Sequence, residues 1–121
     1  MSVNVINAEK RRCLRNCFFN VIRNTNMSYE DAVKVVAKAP APQFYVSYES
    51  ARRFVSLLDR GHDIPVRNPL KRALYKELYK RFKERGIVTK GRYLILEEII
   101  KESAPSYYMT EDGIRNHIYM R

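Results

Sequence analysis

Seven cations stand at spacings that would let them act together. Arg52, Arg53 and Arg60 fall in one stretch, and Arg72, Lys76, Lys80 and Lys83 in a later one. The last four recur at intervals of four, four and three, so on a helix they share one face. Arginine offers a planar fork of donors that matches a phosphate or a guanine edge, and lysine a point charge suited to phosphate. These seven are the candidate nucleic-acid-binding residues. Tyr75 and Tyr79 lie among the lysines, where their rings could follow a phosphate backbone or fold half-buried against a core.

Catalytic signatures are missing from the sequence. It has no Gly-rich phosphate loop, no nucleophile elbow and no His-Glu-x-x-His, and its two histidines, His62 and His117, have no partner nearby in sequence. Tyr45 or Tyr108 with an arginine would make a strand-joining nucleophile only as part of a larger site, which the sequence does not supply. A non-enzymatic protein is expected, with no catalytic residue and no cofactor. Cys13 and Cys17 are four apart on one expected helix, a poor arrangement for a disulfide, and no ligand spacing completes a metal site with either histidine. Both read as ordinary thiols.

The charge balance agrees with the candidate residues. The chain carries a net charge of +10. Residues 69–92 hold nine basic residues against Glu77 and Glu84, so the excess sits in one helix and its exit. Such a balance favours polyanionic partners, and double-stranded DNA is expected over RNA. The length of 121 residues fits one domain over 1–121, able to bury a core without disulfides or metal. No apolar run is long enough for a membrane span and no secretory leader is visible, so no membrane association and a cytoplasmic location are expected.

The elements that must position these residues are helices. Asn7 could cap a helix to about Asn24, with Leu14, Cys17, Phe18, Val21 and Ile22 at helical spacing and Lys10, Arg11, Arg12, Arg15 and Arg23 outside. Ser28 caps a second, closed by the Pro40 and Pro42 segment. A third runs from Tyr48 to about Arg60, before Gly61. Asn68-Pro69 opens a fourth that ends near Gly86. Residues 93–96 could pass for a strand, but a likeness to residues 30–33 assigns them to a helix.

That likeness is part of a repeat. Ala41-Pro42-Gln43-Phe44-Tyr45-Val46-Ser47 returns 63 positions later as Ala104-Pro105-Ser106-Tyr107-Tyr108-Met109-Thr110. In each copy proline stops a helix, an aromatic pair follows, and a hydroxyl residue caps the next helix, with acids in its first turn. Val46 with Ala51 and Met109 with Ile114 have the spacing of a hydrophobic staple. The aromatic pairs suit a core position better than stacking on unpaired bases. The first helix aligns with the fourth at an offset of 60. An all-α fold of about six helices is therefore expected, as two pseudo-symmetric trihelical repeats, 8–60 and 68–121, sharing one core.

A trihelical unit is also the general plan of helix-turn-helix binders, with the third helix as reader. Here about eight or nine residues join the second helix to the third, against three or four in a tight turn, so the likeness is one of architecture. The A-P-x-F-Y-V-S segment resembles small helical proteins of gut bacteria and their phages that carry this motif before a helix. The resemblance covers 41–51 best and 104–114 less well. It implies a phage or mobile-element gene, hence DNA binding or a place in the virion, and no activity assigned to particular residues. The alternative to a nucleic-acid binder is a non-enzymatic structural or interaction module, such as a phage assembly component, with a protein partner or self-association.

Overall fold

The computed structural model describes residues 3–119. They form six α-helices: α1 (Val3–Asn24), α2 (Tyr29–Lys38), α3 (Tyr48–Asp59), α4 (Pro69–Arg85), α5 (Leu96–Ile100) and α6 (Glu111–Tyr119). A 3₁₀ turn, Arg92–Ile95, leads into α5. The fold is all-α.

Local chemistry sets most of the boundaries. The Ser28, Ser47, Asn68 and Thr110 side chains each accept a backbone N–H from the first turn that follows, from Asp31, Ser50, Leu70 with Lys71, and Gly113 respectively, satisfying donors that the helix itself cannot. At the end of α3 the Gly61 N–H donates to the Leu58 carbonyl and the His62 N–H to that of Leu57. This double closure needs a left-handed residue, and Gly61 supplies it at φ +80°. The α1 helix begins earlier than the expected Asn7, because Ile6 is buried and the extra turn covers the core.

The helices pack in two groups, and α6 joins the first of them from the far end of the chain. One group is α1, α2 and α6, and the other is α3, α4 and α5. Each chain segment after a proline therefore crosses to the opposite group before its helix starts. Both groups contribute to one apolar core, in which Leu14, Phe18, Val36, Val55, Leu78, Leu96, Ile99 and Ile114 are buried.

The crossing is pinned at one point. Ala41 and Ala104 form an isolated antiparallel bridge, exchanging both N–H···O=C bonds at 3.0 and 2.9 Å. Pro42 and Pro105 follow at once and have no N–H to donate, so the ladder stops there. Both alanines are buried. The aromatic residues then stack in pairs across the crossing, Phe44 on Tyr108 at 6.3 Å and Tyr45 on Tyr107 at 6.0 Å. The Phe44 N–H donates to the Ile100 carbonyl at 2.9 Å, closing the end of α5.

One group in this junction is poorly partnered. The Tyr45 hydroxyl is buried with no well-formed hydrogen bond, the Cys13 thiol being the polar group beside it, and burial, foremost, pushes its pKa up. Removing a hydroxyl of this kind relieves a desolvation cost of about 1–3 kcal/mol. Tyr45→Phe is therefore expected to hold or raise stability by about 1 kcal/mol, whereas Phe44→Ala lowers it by about 3–5 kcal/mol. Urea unfolding followed by circular dichroism measures both.

Candidate nucleic-acid interface

The seven expected cations divide by use. Arg52 and Arg53 are exposed on α3, and Lys76, Lys80 and Lys83 are exposed on α4. These two helices pack on each other, with Phe54 against Tyr75 at a ring separation of 4.6 Å. The Arg53 guanidinium covers Phe54 at 5.2 Å and the Lys83 ammonium lies 5.8 Å from the Tyr79 ring, so both cations rest on aromatic faces. Lys76 helps to lower the pKa of Asp63 without forming an ion pair with it.

Arg60 and Arg72 serve the scaffold. Arg60 Nε donates to the Ser56 carbonyl at 3.2 Å and closes the end of α3. Arg72 donates to the Ile64 and Val66 carbonyls at 3.2 and 3.0 Å and to the Asp63 carboxylate at 2.7 Å. That fork fixes the connector between α3 and α4 and holds Asp63 below the usual carboxylate range. Tyr75 is likewise core, buried against Phe54, while Tyr79 is half-buried under Lys83.

The remaining arginines of the basic stretch turn inward. Arg81 binds Glu77 at 3.1 Å, Glu102 at 3.3 Å and the Ser103 carbonyl at 2.9 Å, and covers Phe44 at 4.8 Å. Arg85 also pairs with Glu102. Arg92 reaches Asp59 at 2.5 Å, with the Tyr93 hydroxyl donating to the same carboxylate at 3.0 Å. Arg115 of α6 ties Glu30 of α2 to Asp112 and Glu111. Every ion pair among the described residues is made by an arginine. The lysines other than Lys10 are exposed to solvent.

Sequence reasoning placed Lys10 and Arg11 on the outer face of α1. Both are half-buried instead, because α6 packs along α1. Arg11 Nε donates to Nδ1 of His117 at 3.4 Å. Burial, then the charges of Lys10 and Arg11, push the His117 pKa below its ordinary value. The signal was in the spacing: Lys10 stands between Ile6 and Leu14, both buried, on one face at intervals of four.

The two thiols are unbonded and half-buried, and burial raises the pKa of Cys17. Tyr107, stacked on Tyr45 beside them, is pushed up to about 12, chiefly by burial. The described residues hold no group of three or more histidines, cysteines or acids placed to share a metal ion. Nor do they include a helix long and apolar enough to cross a membrane. No protein-family model, curated protein or solved structure matches the chain.

Two outcomes follow from these roles. Arg72→Ala is expected to destabilise by about 1–2 kcal/mol, since two carbonyls lose a charged donor, while Lys80→Ala stays within about 0.5 kcal/mol. Chemical denaturation separates them. His117 titrates below 6.5, its ordinary value, so the unfolded chain takes up that proton first as pH falls. Its contribution to stability is complete above 6.5 and is lost as pH drops through the folded-state pKa. Urea midpoints at pH 7 and pH 5.5 should therefore converge in His117→Gln relative to the native chain.

Proposed function

We propose that this protein binds nucleic acid, double-stranded DNA before RNA, through Arg52, Arg53, Lys76, Lys80 and Lys83 on the outward surfaces of α3 and α4. The observation that carries this reading is the division of labour among the cations. Arg72, Arg81, Arg85, Arg92 and Arg115 draw seven of the thirteen acidic residues into ion pairs, whereas these five exposed cations have no carboxylate in ion-pair range. A surface that leaves five cations unmatched on two adjacent helices attracts a phosphate backbone and gains affinity by releasing its counterions. Arg60 and Arg72 instead fix the end of α3 and the connector to α4.

We further propose that the chain is built from two halves related by an approximate twofold. Ala41 and Ala104, 63 positions apart, pair with each other, as residues on a twofold axis would. At the same offset Phe44 corresponds to Tyr107 and Tyr45 to Tyr108, and the observed stacks join Phe44 to Tyr108 and Tyr45 to Tyr107. Residue i meets j of the other half and j meets i, the pattern of an isologous contact. Each half lends its third helix to the other. The basic stripe of α4 has no equally charged counterpart on α1, so the halves differ in function.

A second reading, an interaction module such as a phage assembly component, draws on the loop between α4 and α5. There Val88 is 85% exposed and Leu94 61% exposed, an apolar tip suited to a protein partner.

Binding to a random-sequence 30-base-pair duplex across a salt series tests the first reading. Log affinity should fall against log salt with a slope of about −4, as expected for four or five neutralised phosphates. Replacing the five cations by glutamate should abolish retention at moderate salt without loss of helicity. Retention by that variant would remove the proposed surface, and a native chain that binds no duplex at low salt would favour the protein partner.

A further inference from the structure

We propose that the cleft between α1 and α4 binds a small phosphate monoester that carries a ring, of the nucleoside monophosphate class. The cleft has a volume of about 300 Å³, at the lower end for small-molecule sites and suited to a mononucleotide rather than a dinucleotide. Lys10 lines it from α1 and Lys71 from α4, and no carboxylate is among the lining residues. Two ammonium groups held about one concave site repel each other. Lys10 records the cost: burial first, then the charge of Lys71, lowers its pKa. A dianion seated between the two lysines would cancel their repulsion and offset the effect of burial, since it supplies the missing counter-charge where water is partly excluded.

Other groups in the cleft suit the same ligand. Ser47 and Ser50 line it at the start of α3, where the helix dipole is positive. The walls also include Tyr75 and Tyr108. Ser50 and Tyr75 line the cleft together, so two hydroxyl-bearing side chains share it with the lysines. Tyrosine rings provide apolar surface for a flat ring, with polar tips for its edge. None of the five cations proposed to contact DNA lines this cleft, so the two proposals stand apart.

Isothermal calorimetry with adenosine 5′-monophosphate, ribose 5-phosphate and inorganic phosphate tests the assignment. The native chain is expected to bind the nucleotide saturably, and at least about tenfold more tightly than inorganic phosphate because only the nucleotide meets the tyrosine wall. Lys10→Gln and Lys71→Gln should each weaken it by about tenfold or more, the loss of one charged contact to phosphate. Lys80→Gln should leave it unchanged. Thermal melts without ligand control for folding, and Lys10→Gln should melt no lower than the native chain because it removes a repulsion. Ribose 5-phosphate binding as tightly as the nucleotide would overturn the base-bearing class. Nucleotide binding that survives both lysine variants, or no saturable binding by the native chain, would overturn the site. The five-glutamate variant should still bind the nucleotide, and Lys10→Gln should still retain duplex DNA.

Discussion

The pair of hydrogen bonds between Ala41 and Ala104 is the constraint on which the arrangement of helices depends. Two extended segments meet there back to back, each arriving from a helix that ended at or just before a proline-containing stretch. The site tolerates little more than a methyl group, since both residues are buried beside the aromatic stacks. Prolines on the following positions prevent a longer ladder, which would otherwise present an open strand edge. Once the segments are fixed antiparallel, their onward chains leave in opposite directions. So α3 is delivered to α4 and α5, and α6 to α1 and α2. Ser103 adds its hydroxyl to the Ala41 carbonyl at 3.2 Å, and Arg81 clamps the same corner through the Ser103 carbonyl and the face of Phe44.

That crossing explains why the arginines and lysines of one basic helix behave differently. The inner corner of α4 faces the end of α5 and the crossing segment, where carbonyls and Glu102 need donors at fixed angles. A planar guanidinium meets several of them at once, as Arg81 does, whereas an ammonium is better left hydrated. The outer stripe has no such demand. A positive surface therefore survives folding because Asp59, Asp63, Glu77 and Glu102, the acids at this inner corner and its connectors, are taken by arginines and not by the outer lysines.

Much of this was legible in the sequence, and what was not has a physical cause. Caps are local, so Ser28, Ser47, Asn68 and Thr110 announced their helices correctly. Residues 93–96 were read as helical from the likeness to the second helix, and they form the 3₁₀ turn that enters α5. The core stripe of α1 followed from periodicity, with Leu14 and Phe18 buried and Cys17, Val21 and Ile22 packed against the core. What periodicity cannot express is the identity of a partner. The apolar faces of α3 and α6 do not specify which helices they meet, so the packing of α3 on α4 and α5, and of α6 on α1 and α2, was hidden. Likewise, sequence spacing assigned Arg72 a charge but not the two connector carbonyls that claim it. Lys10 was misplaced for a related reason: charge outweighed its position between two buried residues on the same face.

The aromatic junction also shows how a repeated motif accommodates two different surroundings. Tyr108 adopts φ +54°, a conformation that costs free energy for a bulky side chain, and its N–H is held by the Ser106 hydroxyl at 3.0 Å. Tyr45, at the corresponding place in the first copy, is not in that region and is followed by a helix that reaches α4 with its full length. One of the four differences between the seven-residue copies is Gln43 against Ser106. Gln43 extends instead to Glu9 of α1 at 3.3 Å, a contact Ser106 is too short to make, and the shorter hydroxyl turns back on its own backbone. Divergence at one polar position thus accompanies a different backbone path in the second copy. The first copy keeps the longer helix that carries Arg52 and Arg53, and the second keeps the shorter one that carries His117 against Arg11 of α1.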